Sequence, residues 1–352
     1  MAIDWRRGMQ RTYELVRVDA ETWTERELVQ DLSEASIDWE SDGLRYSATM
    51  TTYSALADSY YKLYMLARQG AESQRIALAT VRVQTPKRHL TGTSVTYDAT
   101  GYSPLVELDA DYPPPGWTAT GNVVQQAKAI VAAHCHAPCD AVSSSASMEP
   151  WTAGDNDTWL DCLEAVLAKA SMHVEVDGHG RIHFVADDDP AMLAPVWIYD
   201  DAAYGLPSIL MPDVDEQSDY FDLANKVEVI YSTADGVLYA SAIDEDPKSP
   251  TGTVQRGYIK TERETSPEID APVTQAKVDA LARQMLEANK HVTHEASFEA
   301  AFIPAVAPGR CIRLDYTRHG YRADATVESM SMDCNAAAIV KIDIEYQEVI
   351  GG

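Results

Sequence analysis

Apolar and polar residues alternate with a period of two along most of this chain. That pattern restricts the fold more than any other feature. Successive side chains point to opposite faces only in a strand, so sustained alternation specifies half-buried β-structure. Between residues 12 and 102 it predicts five strands, at 12–18, 44–53, 60–66, 76–83 and 93–102. Asp42-Gly43, Gly70, Pro86 and Gly92 separate them, and such residues make turns or end ladders. Several short strands with regular turn signals predict a barrel or a sandwich. Pro113-Pro114-Pro115-Gly116 cannot continue a sheet, so the first β unit is predicted to span 1–112.

The period then changes. Val123, Ala127, Ile130 and Val131 fall at helical spacing after Gly121-Asn122,. Thr158 and Asp161 are spaced as a capping box, ahead of the stripe Trp159, Leu163, Val166 and Leu167,. A hairpin follows, with strands at 173–177 and 181–184 around Asp177-Gly178-His179-Gly180,. Residues 113–222 are therefore predicted to be an inserted helix–helix–hairpin domain with an acidic connector. Alternation resumes at Asn225, where 226–233 and 237–243 flank Asp235-Gly236. Further strands are predicted at 253–262, 294–302, 310–316, 321–332 and 340–346. A helix near 274–290, with Val278, Leu281, Ala282 and Met285 on one face, interrupts this second β unit, 223–352,. The predicted class is α+β and β-rich.

Charge decides which partners are excluded. Of 352 residues, 55 are acidic and 28 are Lys or Arg, a net charge of −27. A 45% hydrophobic share supports a buried core, so the charge does not signal disorder,. Nucleic-acid binding neutralises phosphates with Lys and Arg, and anionic membranes are disfavoured for the same reason. No apolar run approaches the roughly 18 residues of a membrane helix. Residues 1–10 lack the apolar stretch of a secretory signal,. Five scattered cysteines do not form a disulfide framework, so a reducing compartment is expected,. The acids are uneven: residues 187–246 hold 15 acids against one base, Lys226. This is either a solvated face that keeps the chain soluble or a surface whose function requires negative charge.

Candidate chemistry is sparse. His134, Cys135, His136 and Cys139 place four soft ligands in six residues, a set suited to zinc or iron,. No second ligand pair follows, and the alternative is a helix end with histidines at the C-terminal dipole and cysteines as small apolar residues. Residues 213–222 resemble a calcium loop but carry Gln217 and Ser218 where an oxygen ligand and glycine are required,. His291, His294 and Glu295 do not form a zinc-protease motif, and no serine-hydrolase, phosphate-loop or dinucleotide fingerprint is present,. The carboxylates are too numerous to single out a glycosidase pair. No catalytic residue and no cofactor is assigned.

The order of elements carries a resemblance. Trp5-Arg6-Arg7-Gly8-Met9 before the strand at 12–18 looks like the start of tail proteins from long-tailed bacteriophages. The stretch from Asp157 to Phe184 is similar to the middle domain of phage tail hubs, and so is the step Pro308-Gly309-Arg310 into a late strand. The chain thus resembles, along its whole length, the baseplate hub family, also called late-control-D-like hubs.

That resemblance implies a virion structural protein and not an enzyme. It implies two antiparallel β-barrels with an inserted α+β domain, and a homotrimer forming a pseudo-hexameric ring that continues the tail tube. Implied partners are the distal tail protein, the tape-measure protein and a central spike or fibre, with assembly in the host cytoplasm. DNA would pass through the bore without binding, and no membrane insertion is implied. Acidic walls repel phosphates within a Debye length of about 8 Å, so Asp213, Asp215, Glu216, Asp219, Asp244, Glu245 and Asp246 become candidate bore-lining residues. The chain stops at Gly351-Gly352, so receptor binding and cell-wall lysis are expected on other proteins. The competing reading is a virion-associated carbohydrate-binding or cell-wall-hydrolysing β protein.

Overall fold

The computed structural model describes residues 3–84, 87–187, 193–201, 209–218, 220–221, 223–233, 236–267, 269 and 272–349. The chain divides into two compact units. Unit 1 comprises Met1–Asp213 and Phe298–Asp343, and unit 2 comprises Val214–Ser297 and Ile344–Gly352.

Unit 1 opens with eight strands: β1 Gln10–Val18, β2 Glu25–Val29, β3 Leu32–Glu40, β4 Tyr46–Thr52, β5 Ser59–Gln69, β6 Glu72–Val83, β7 Lys87–Thr91 and β8 Ser94–Tyr102. The five strands expected from alternation are all present. Of the three others, β2 and β7 carry little alternation because most of their side chains face solvent, whereas β3 alternates, with Ala35, Ile37 and Trp39 against Ser36, Asp38 and Glu40. β4 starts at Tyr46, two residues later than the pattern suggests, because Arg45 adopts a left-handed φ of 68°. β5 is buried on both faces from Ser59 to Met65, so something must cover each side of the sheet.

One cover is the inserted domain. It contains α1 Val106–Asp109, β9 Thr118–Asn122, α2 Val123–His134, β10 Cys139–Ala141, β11 Ser147–Thr152, α3 Trp159–Ala168, β12 Met172–Val176 and β13 Ile182–Ala186. The expected capping box is in place: the Thr158 hydroxyl accepts from the Asp161 N–H, and the Asp161 carboxylate accepts from the Thr158 N–H. Asn122 caps α2 one way, its side chain accepting from the Gln125 N–H. Both helices bury one stripe against Val174, Ile182 and Phe184 of the hairpin. Fully burying one such Leu or Val contributes about 1.5–3 kcal/mol, which holds two short helices that would not persist alone.

The rest of the chain supplies β14 Ile198–Asp200, β15 Leu210–Ser218, β16 Lys226–Thr233, β17 Gly236–Ile243, α4 Thr253–Arg256, β18 Thr261–Thr265, α5 Gln275–Ala288, β19 His291–Ala301, β20 Cys311–Tyr316, β21 Tyr321–Asp333 and β22 Ile339–Val349. The main sheet runs β15-β19-β22-β21-β3-β4-β8-β6-β5-β1-β2, with β7, β14 and β20 attached at its sides. Strand β21 from late in the chain pairs with β3, in the register Ser329 to Glu40. The Ser41 hydroxyl donates to Glu328 at 2.8 Å beside that seam. Early and late β segments thus share one sheet. Among the described residues the end strands β2 and β15 do not pair, and no sheet closes into a barrel.

In unit 2, β17-β16-β18 form a three-stranded sheet with α5 packed on one face. Val227, Val229, Ala240, Val278, Ala282 and Leu286 form its core. The strand expected at 253–262 is instead α4 followed by β18. Gly252 starts that turn of helix and Gly257, at φ 73°, ends it, a conformation a strand cannot contain. On the opposite face Glu228 is 7% exposed. It accepts from Lys226 at 2.6 Å, Arg263 at 2.7 Å and the Tyr239 phenol at 3.1 Å. The Lys226 ammonium, then the Arg263 guanidinium, hold its carboxyl down at about 2.

Two outcomes follow. Gly178→Ala would place a Cβ 2.1 Å from the Ala77 carbonyl oxygen. It should cost about 1–3 kcal/mol or more in urea unfolding, whereas alanine at the exposed Gly8, where a Cβ meets nothing within 4 Å and the backbone is not left-handed, should cost far less. The Glu228 carboxyl sits below its unfolded value of about 4.3. Its stabilisation is full above that pH and fades as pH falls toward 2. Glu228→Gln should lower the urea midpoint at pH 7, and the gap from wild type should close near pH 2.

Candidate functional site

The hairpin β12–β13 brings together the residues in unit 1 with the densest chemistry. Period-two geometry puts His173, Glu175 and Asp177 on one face of β12, with His183 opposite Glu175 in register,. Nδ1 of His173 lies 2.7 Å from Asp187, and its Nε2 lies 3.3 Å from Glu175. His183 lies 3.1 Å from Asp177. Arg310 donates to Glu175 at 3.2 Å. The Glu175 carboxylate, then Asp187, hold His173 above its ordinary range against the opposing effect of burial. Glu175 is held below its range, first by His173 and then also by Arg310. A ring bracketed by two carboxylates keeps its proton, so this cluster ties strands together and is poorly suited to general-base work.

The hairpin's turn is anchored on the main sheet. The Thr80 hydroxyl donates to the Gly178 carbonyl at 3.0 Å, Tyr46 donates to Asp177 at 3.2 Å, and the Trp23 indole donates to His179 at 2.9 Å. Arg45 reaches Glu164 of α3 at 3.2 Å. Trp23 and Arg45 both have left-handed backbones, at φ 54° and 68°, which costs about 1–2 kcal/mol each. Beside these contacts lies a cavity of about 280 Å³, with Trp39, Arg45, His173, Glu175, Phe302 and Arg310 in its lining. From sequence alone these residues carry no catalytic or ligand-binding assignment. The signal available was His-x-Glu-x-Asp facing Arg-x-His across a two-strand turn, which places every charged group on one face.

The expected His/Cys cluster does not converge. His134 ends α2, stacks on Trp159 at 3.9 Å and lies 3.6 Å from Asp111. His136 turns toward Glu107, whose carboxylate also accepts its backbone N–H at 2.9 Å. Cys135 donates to the Pro104 carbonyl, and Cys139 opens β10. Burial pushes the Cys135 thiol up to about 12 and Cys139 up to about 11, the opposite of a metal-binding thiolate. Among the described residues no group of three His, Cys, Asp or Glu is arranged to hold a metal ion.

The acidic candidates separate by environment. Asp213 and Asp215 are exposed and share a face of β15. Glu216 is also exposed and accepts from the Tyr346 phenol. Glu245 and Asp246 face solvent. Asp244 is 7% exposed and accepts from the Asp246 N–H at 3.0 Å, so it shapes its own turn and does not face solvent. Asp219 lies outside the described residues.

No protein-family model and no curated protein matches the sequence. Solved structures do. A tail protein from Neisseria meningitidis MC58 is 12% identical with a TM-score of 0.62, over 96% of this chain and 97% of that one. The 43 kDa tail protein of prophage MuSo2 from Shewanella oneidensis is 11% identical with a TM-score of 0.58, over 94% and 97%. A chain of the Francisella PdpA-VgrG complex is 8% identical with a TM-score of 0.55, over 97% of this chain and 58% of that one. The chain has the fold of phage tail proteins.

Equimolar or excess zinc should leave the melting temperature unchanged and both thiols should react slowly with a disulfide reagent. Zinc at a hundredfold excess over a real Kd would add about 2.7 kcal/mol, and a stoichiometric zinc complex would overturn the reading of Cys135 and Cys139 as packing residues.

Proposed function

We propose that this chain is a structural hub of a phage or phage-like tail tip, acting by assembly and not by catalysis. The observation that carries the reading is the reach of the likeness. It covers 96% of this chain and 97% of the Neisseria tail protein, so the whole architecture is shared and not one domain.

In this reading three copies form a ring continuous with the tail tube. The β regions at 1–112 and 223–352 act as tube domains around the insertion at 113–222, and their sheets close into barrels or a collar in the assembly. The distal tail protein, the tape measure and a central spike or fibre are the partners. The exposed acids Asp213, Asp215, Glu216, Glu245 and Asp246 line the path of DNA. The net charge of −27 supports this part, because a conduit must repel the phosphates that slide through it. The chain resides in the virion tail tip after assembly in the host cytoplasm.

Native mass spectrometry of the purified chain should give three times 38.7 kDa, alone or after mixing with tube proteins. Reversing Asp213 and Asp215 to Lys should leave particles assembled but slow DNA ejection. A monomer that clears peptidoglycan, or unchanged ejection from such particles, would contradict the corresponding part of the reading.

A further inference from the structure

The cavity beside the inserted hairpin carries chemistry that assembly does not use. All its lining residues belong to unit 1. Its volume of about 280 Å³ lies at the lower end for small-molecule sites. Two features make it selective. The first is an apolar wall. Phe302 and Met330 are 4% and 3% exposed. Phe302 stacks on Trp39, with ring centroids 6.0 Å apart and planes 17° from parallel. The Trp39 indole is fixed by donating to the Leu78 carbonyl at 3.3 Å. Such a wall suits a flat apolar ring.

The second feature is an unspent guanidinium donor. Arg45 lines the cavity with its side chain 11% exposed. Its terminal nitrogens donate to the Ser41 carbonyl and to Glu164. Its buried Nε has no partner among the described residues. A buried donor left unpaired is costly, and native structures rarely keep one without a role. The residue is also held at φ 68°, and backbone strain of this kind gathers at ligand sites. The charges around it narrow the ligand. Glu175 and Asp177 of the lining are already taken by His173, Arg310 and His183, so what the cavity lacks is an acceptor for Arg45. Together with Glu40, also in the lining, those two acids would repel a doubly charged phosphate, whereas a single planar carboxylate matches a guanidinium. We infer that this cavity binds a small monocarboxylate built on a flat apolar ring, with its carboxylate held by Arg45 and its ring against Trp39 and Phe302. The inference needs only unit 1 and stands or falls separately from the hub reading.

The test is a titration of the full chain with phenylacetate, followed by NMR on the indole N–H signals of the seven tryptophans. Trp39→Phe identifies the Trp39 signal. That signal should shift saturably, with a Kd of about 1–5 mM, which is ordinary efficiency for so small a ligand. Phenylacetamide, which has the same shape without the charge, should bind at least about tenfold more weakly. Arg45→Gln should weaken phenylacetate binding by at least about tenfold. Ala307→Phe, which fills the cavity from a half-buried loop position, should abolish it. Circular dichroism confirms that each variant is folded. Should Arg45→Gln unfold, the phenylacetamide comparison and Ala307→Phe carry the test. No saturable shift of Trp39 up to about ten times the expected Kd, equal binding of phenylacetamide, or binding that survives Ala307→Phe would overturn the inference.

Discussion

Within unit 1 the architecture depends on one close approach, that of the Gly178 backbone to Ala77 of β6. A side chain at 178 would meet the Ala77 carbonyl oxygen at 2.1 Å, so only glycine lets the inserted hairpin lie flat on the sheet. Everything nearby is organised around that contact. Thr80, Tyr46 and Trp23 each donate a hydrogen bond to the turn. Trp23 and Arg45 hold left-handed backbones to reach the insertion. The same docking explains why β5 is buried on both faces and why Lys62 is 6% exposed in it. Burial pulls that ammonium below its ordinary range, and Glu25 and Asp177 oppose the shift.

The His173–Glu175–Arg310 chain of charges extends the seam to the loop ahead of β20. Its groups are mutually neutralised, which favours rigidity over reactivity. The same logic distinguishes the chain's two kinds of acid. Glu228 and Asp244 are buried and stabilise unit 2 or its turn, whereas Asp213 and Asp215 project into solvent. Net charge alone cannot separate these groups, and only the second kind creates a field outside the protein.

Local order was legible in the residues wherever a local rule controlled it. The Thr158–Asp161 capping box, the α2 and α5 stripes and the β12–β13 hairpin need only neighbours within a few positions. The resemblance of element order to phage tail proteins also survived comparison of folds. Three things were not legible. The solvent-facing strands β2 and β7 carry no alternation to detect, whereas β3 alternates from Ala35 to Glu40 and obeys the same rule as the strands that were expected. The segment at 253–262 is predicted as a strand, yet Gly252 and Gly257 with the buried Asn225 accompany a helical turn in it. The pairing of β3 with β21 joins residues almost 300 positions apart, as Ser41 and Glu328 do at |i−j| = 287, and no periodicity encodes a partner. The cavity-lining residues were missed for the same reason, since Trp39, His173 and Arg310 come from three distant segments. In the four-residue His/Cys cluster, neighbours in sequence turn to different carboxylates, His134 to Asp111 and His136 to Glu107.

The central claim is that this chain is built into a tail tip as a ring around an open path. Electron cryo-microscopy of tail particles carrying a tagged copy tests it most directly. The account predicts density for the tag at the distal end of the tail, in a threefold ring with a continuous bore. A tag distributed along the tail shaft, absent from particles, or located in a ring without a bore would contradict it.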